Sequence, residues 1–118
     1  MTSLSADEAS HLAAIKRSMS VGFRFLHLYD STGQAVEAIH AERRLGGLIE
    51  TYTVQATTEA VAARFRTEDY PSGHPLWQEH GTVADVVTAL LALPPNGTPG
   101  APTTARRPSS ALWIPRDI

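Results

Sequence analysis

A histidine and a glutamate stand two residues apart in the segment EAIHAERR, which covers residues 37–44. A histidine can bind zinc and a nearby glutamate can move a proton, so His40 and Glu42 are the first candidates for chemistry. The alternating side chains around them are typical of a strand, in which every second residue lies on the same face. His40 and Glu42 are therefore expected to share one face of a sheet.

This spacing resembles half of the zinc-deaminase motif, in which the histidine binds the metal and the glutamate carries the proton. The other half of that motif supplies two cysteine ligands, and this sequence contains no cysteine. The other histidines do not gather at a metal-binding spacing; they are His11, His27, His74 and His80. The sequence therefore predicts no bound metal, no cofactor and no deaminase activity.

Two further segments contain residue types that occur in catalytic or phosphate-binding sites. The loop YPSGHP places Ser72 and His74 two residues apart, but it lacks the strand-turn-helix elbow of a nucleophilic serine. The segment RRLGGLIE lacks the lysine and hydroxyl residue of a phosphate-binding loop, so we interpret it as a turn. We expect no catalytic residues, and an enzyme with its site in the loop 68–80 is only the third hypothesis.

The composition indicates one globular domain. A chain of 118 residues with net charge -2 can bury a sizeable core and has no overall attraction to nucleic acid or to anionic membranes. No apolar run reaches the length of a membrane span, so we expect no membrane partner. The absence of cysteine is compatible with the cytoplasm, and nine arginines beside one lysine are typical of GC-rich bacterial genomes. We therefore expect a bacterial cytoplasmic protein.

The positioning elements begin with a helix from Ala6 to Met19. Ser5 and Glu8 have the spacing of a capping box, and one narrow apolar stripe follows at Leu12, Ile15 and Met19. The next segments predict three strands in a meander, joined by turns that contain glycine. These segments are VGFRFLHLYD, AVEAIHAERR and LIETYTVQ.

The second half predicts a short helix in TTEAVAARFRTED, a brief strand or an irregular piece in LWQEH, and an apolar helix in TVADVVTALLAL. The apolar helix is capped by Thr82 and has a broad apolar face. The predicted fold is thus α+β: a three-stranded, or at most four-stranded, antiparallel meander packed by the N-terminal helix and the C-terminal apolar helix. This domain covers residues 1–93, and residues 94–118 form an extended, proline-rich tail that contains LWIP.

The strand pattern also predicts which side chains share a face. A tight turn at DSTG would place His27 opposite Val36 and His40 opposite Phe23. Both faces of the sheet are then half apolar, so each needs a cover. The helices can cover one face, and the LWIP segment, another protein or a second copy of the chain can cover the other.

These observations favour a protein-binding, regulatory or adaptor module that acts without catalysis, and a homodimer is the first expectation. The candidate partner-binding residues lie in the loop and in the tail: Tyr70, His74, Trp77, Leu112, Trp113 and Ile114. The tail is either docked on the domain or free.

The alternative hypothesis is a nucleic-acid-binding regulator. It would use an arginine patch at the sheet edge, formed by Arg24, Arg43, Arg44, Arg64 and Arg66. The predicted helices begin with neutral or acidic residues, an arrangement that suits helix capping and is unfavourable for phosphate. By this criterion nucleic acid is not expected as a partner.

Overall fold

The computed structural model describes residues 6–109, 112 and 114. Five strands form one antiparallel sheet in the order β1-β2-β3-β4-β5. The elements are α1 (Ala6–Ser20), β1 (Arg24–Tyr29), β2 (Val36–Leu45), β3 (Leu48–Ala56), β4 (Glu59–Arg66), a single 3₁₀ turn (Thr67–Asp69), β5 (Trp77–Gly81) and α2 (Val83–Leu91). The predicted α+β class and the antiparallel sheet are confirmed, whereas the prediction of three or four strands is wrong.

Strand β4 accounts for the difference, because the spacing of its apolar residues predicts a short helix. Thr57 and Thr58 form a tight turn that pairs Ala56 with Glu59 and starts β4 beside β3. All residues from Ala60 to Phe65 are buried. A strand covered on both faces has a continuous buried run and no alternation, so its pattern resembles that of a buried helix segment.

One face of the sheet, here called the helix face, packs against α1 and α2. Tyr52 is fully buried at its centre, with Ala41 and Ala62 beside it on the neighbouring strands. Helix α2 begins as predicted, with the Thr82 hydroxyl accepting a hydrogen bond from the Asp85 N–H at 3.2 Å. Its buried residues are Val83, Val86, Val87 and Leu90.

Helix α1 turns a different side to the protein from the one that its apolar stripe predicts. Leu12 and Met19 are 40% and 57% exposed, whereas His11, Ala14 and Ser18 are buried. The imidazole Nδ1 of His11 accepts a hydrogen bond from the first turn of α2, and the Ser18 hydroxyl lies 2.7 Å from that of Tyr52. Small and polar side chains thus let α1 approach its neighbours closely, which hydrophobic periodicity alone does not reveal.

The pairing of β1 with β2 also differs from the prediction. His27 is opposite Ile39, and Leu26 is opposite His40. The connection is longer than a tight turn, since the Asp30 N–H donates to the Ala35 carbonyl at 2.9 Å. The observed register is shifted by three residues from the predicted one. Because three is an odd number, each side chain of β1 lies on the opposite face from the one predicted, and Phe25 lies on the helix face beside Tyr52.

The other face, here called the loop face, is covered as well. It carries His40 and the buried residues Thr51 and Thr53, which alternate with Tyr52 along β3. Tyr70, from the connection between β4 and β5, reaches its polar side chains. Neither α1 nor α2 has the length and apolar character that crossing a membrane requires, among the residues described.

Candidate functional site

Four side chains meet on the loop face, and they are called the polar cluster here: His40, Glu42, Thr53 and Tyr70. The Tyr70 hydroxyl donates to Glu42 Oε2 at 2.7 Å, and His40 Nε2 lies 3.2 Å from the same oxygen. His40 Nδ1 lies 2.9 Å from the Thr53 hydroxyl. The two residues selected first from the sequence therefore meet one residue of the candidate loop.

The hydrogen bonds define the protonation of the cluster. Burial lowers the pKa of His40, and this effect outweighs the opposite influence of Glu42. A neutral imidazole that donates from Nε2 to Glu42 must accept at Nδ1, so the Thr53 hydroxyl is the donor there. Glu42 Oε2 accepts from both His40 and Tyr70, which suits an ionised carboxylate.

Tyr70 is held as a protonated phenol. Burial and then the neighbouring Glu42 raise the pKa of Tyr70 far above its usual range. Its ring packs edge-on against Phe65, with 5.3 Å between the ring centroids. Both His40 nitrogens are engaged within the cluster. Its evident effect is to anchor the loop to strand β2.

A second buried cluster lies on the helix face and is made of charges. Glu50 is fully buried; Arg43 reaches Oε1 at 2.6 Å and Arg64 reaches Oε2 at 2.7 Å. Arg43 also donates to the Val21 carbonyl, and Arg64 donates to that of Pro94. This charge triad therefore joins three strands to the segment that follows α1 and to the segment that follows α2.

The structure separates the five arginines of the nucleic-acid alternative. Arg43 and Arg64 are bound to Glu50, and Arg66 donates to the Thr103 carbonyl at 2.6 Å. Arg24 and Arg44 are exposed, and neither has a carboxylate partner within the described part of the chain. Arg66 keeps a 42% exposed side chain, whereas Arg43 and Arg64 are committed to Glu50.

The candidate partner-binding residues also occupy different surroundings. Tyr70 belongs to the polar cluster, His74 is exposed, and Trp77 is half-buried at the start of β5. Leu112 and Ile114 are half-buried, whereas Trp113 lies outside the described residues. Among the residues described, no group of three or more ligating side chains is placed to hold a metal ion.

Strand β1 presents a surface that was not selected from the sequence. It is an edge strand, and its outer side has no partner strand in the described chain. Several exposed apolar residues lie on or beside it: Leu26 at 40%, Tyr29 at 56% and Val36 at 50%. The meander pattern placed β1 at an edge, but the exposure of these side chains depends on the pairing and on the long turn.

The sequence matches no protein-family model, and no curated protein or solved structure matches it. The fold defines the class, a five-stranded antiparallel meander with two helices packed on one face. Three features of this chain could serve a function: the polar cluster, the charge triad and the open edge at β1.

Proposed function

We propose that this protein is a non-catalytic protein-binding module that forms a homodimer through the open edge of its sheet. The observation that carries the proposal is the outer side of β1, which is unpaired in the described chain and has exposed apolar side chains around it. An unpaired edge presents free N–H and C=O groups and is a template for another strand. A second copy supplies such a strand without any further partner.

The sequence of β1 lacks the features that usually protect an edge. The strand RFLHLY contains no proline and no lysine, and its one formal charge is Arg24 at the first position. The register between β1 and β2 shifts between Leu28 and Tyr29, so only the last residue pair of β1 departs from regular pairing. Five consecutive residues are therefore free to pair.

The covered faces of the sheet support the edge as the site of association. Self-association was expected because both faces are half apolar, but buried residues lie on both: Tyr52 on the helix face and Thr51 on the loop face. The exposed apolar residues that remain in the sheet lie mainly at β1 and the turn beside it. Continuous pairing across two copies would cover them.

A two-fold axis beside His27 gives β1 favourable contacts with its own copy. Antiparallel pairing about this residue places Leu26 opposite Leu28 on each side of the axis, within the regular part of β1. Apolar side chains that face each other on neighbouring strands contribute to the stability of a sheet. An interface of this kind uses the same patch on both subunits, which is the usual form of a closed dimer.

The experiment is light scattering on the chromatographed protein at about 50 μM, a concentration that populates even modest dimers. We expect a dimer, and we expect Leu26→Lys to give a monomer because a charge on the edge opposes pairing. Leu12→Lys is the matched control, since Leu12 is equally exposed (40%) but lies on α1. A wild-type monomer, or a dimer that Leu26→Lys leaves intact, would contradict the proposal.

The nucleic-acid alternative has less support, because three of its five arginines are bound within the protein. Two exposed arginines would give at most weak, salt-sensitive binding. Gel-shift titration with duplex DNA and RNA at two salt concentrations tests this alternative. Micromolar binding that is lost in the double variant Arg24→Ala/Arg44→Ala would restore it.

A further inference from the structure

Residues 101–109, here called the tail segment, run past strand β5 and are tied to the body of the protein. The bonds are Arg66 Nη2 to the Thr103 carbonyl at 2.6 Å, Arg106 N–H to the Pro75 carbonyl at 3.0 Å, Gln78 Nε2 to the Arg107 carbonyl at 3.2 Å and Ser109 N–H to Gln78 Oε1 at 2.8 Å. The contacts thus extend over seven residues of the segment.

In every one of these bonds the tail segment contributes a main-chain atom. The carbonyls of Thr103 and Arg107 accept, and the N–H groups of Arg106 and Ser109 donate. The hydrogen bonds of the body of the protein to the segment are therefore made to its main chain. Main-chain hydrogen bonding is the usual basis for recognising an extended peptide.

Gln78 is central to this recognition. Its amide donates to the residue before Pro108 and accepts from the residue after it, as a neighbouring strand would do. A glutamine can do both because its amide carries a donor and an acceptor. Pro108 lies between the two bonds and has no N–H to satisfy, so the site tolerates proline at the position where it occurs.

A groove of about 540 Å³ lies between the tail segment and the body of the protein, and residues of both line it. Leu76, Trp77 and Gln78 line it from the body, and Ala101 and Pro102 line it from the tail segment. A proline-containing peptide is already extended before it binds, so it loses less conformational freedom than other sequences. The main-chain hydrogen bonds and the prolines of the tail segment therefore indicate one class of ligand.

We propose that the surface formed by Arg66, Pro75, Trp77 and Gln78 is a docking site for an extended, proline-containing segment of another protein. In the structure the chain's own tail segment occupies this site and competes with such a partner. The tail segment is joined to α2 through residues 95–100, all of which are exposed. A tethered competitor of this length has an effective concentration of about 1 mM, so a partner must bind more tightly or be tethered itself.

The test cleaves the tail without shortening the chain. A specific protease site replaces residues 96–100 of the full-length protein, the folded protein is cut, and gel filtration follows the released fragment. We expect the fragment to remain bound at about 20 μM and to be displaced by a synthetic peptide of residues 98–114, since its main-chain bonds need no covalent link. The peptide with P102A and P108A should displace it less effectively.

Gln78→Ala is the diagnostic substitution in the cut protein. We expect it to weaken retention of the fragment about five-fold, the effect of one lost hydrogen-bonding side chain. Glu79→Ala is the control, because Glu79 is exposed and is the next residue of the same strand. Release of the fragment from a body that stays folded would overturn the proposal. Unfolding of the body on cleavage, or equal retention in both variants, would also overturn it.

Discussion

The Tyr70 hydroxyl donates a hydrogen bond to Glu42 Oε2 across 2.7 Å, although the two residues are 28 positions apart in the chain. This bond brings the connection between β4 and β5 onto the loop face, above the buried imidazole of His40. His40 and Glu42, whose spacing resembles part of a zinc site, thus form a hydrogen-bonded contact with Tyr70. Their arrangement has direct consequences for stability.

Removing the Tyr70 hydroxyl tests the anchoring of the loop. Tyr70→Phe deletes a hydrogen bond to an ionised carboxylate, and we expect the free energy of unfolding to fall by about 2 kcal/mol. Urea denaturation measures the change. Tyr29→Phe is the control, because Tyr29 is 56% exposed and should change stability by less than about 0.5 kcal/mol. Equal effects of the two variants would argue against an anchoring role.

Glu50→Gln tests the charge triad. The substitution leaves the guanidinium groups of Arg43 and Arg64 without their carboxylate, and Arg64 is buried. Loss of one partner from a buried ionic group is expected to cost about 3 kcal/mol or more. Thermal and urea unfolding measure this loss. Glu37→Gln is the control because Glu37 is exposed on β2, and an equally small effect at both positions would refute the structural role of the triad.

The buried imidazole of His40 predicts a pH dependence. Its pKa in the folded state lies below the usual 6.5, so the unfolded chain takes up the proton first as the pH falls. The free energy of unfolding should therefore decrease as the pH falls below 6.5, and level off below the folded pKa. Urea unfolding between about pH 7.5 and pH 4.5 should show a smaller decrease in His40→Gln than in wild type.

The exposed His74 supplies the comparison for this experiment, because it lies in the connection between β4 and β5 and away from the proposed dimer edge. His74→Gln removes one imidazole and should retain the wild-type dependence on pH, because His40 remains in place. If His40→Gln and wild type lose stability in parallel as the pH falls, the buried imidazole is not the cause of the pH dependence of the free energy of unfolding.

The proposed dimer predicts a specific cross-link. The chain contains no cysteine, so a single introduced thiol reports on its own copy alone. A residue on the two-fold axis faces its counterpart at about 4.5–5.5 Å between Cα atoms, which lies within disulfide range. We expect His27→Cys to form a covalent dimer under mild oxidation. Leu26→Cys, whose partner would be Leu28, should cross-link poorly; the reverse result would assign a different register.

The sequence by itself determined the elements whose signals are local. Helix α2 begins at its Thr82 cap and buries the apolar side that its periodicity predicts, because capping and amphipathic spacing act within a few residues. The strand character of β1, β2 and β3 follows in the same way from their β-branched and aromatic residues. The absence of cysteine was sufficient to exclude the deaminase metal site.

Only the tertiary structure decided the relationships that depend on distant residues. The strand character of β4 depends on cover from both sides, which removes the alternation that marks a strand. The turn from Asp30 to Ala35 determines which side chains of β1 lie on each face of the sheet, since a register change of an odd number of residues exchanges the two faces. The hydrogen bonds and ion pairs of His40, Glu50 and Gln78 form with residues that only folding brings close. Hydrogen bonds and ion pairs between distant residues leave no periodic trace in the sequence, so the surfaces proposed for binding became visible only in the folded chain.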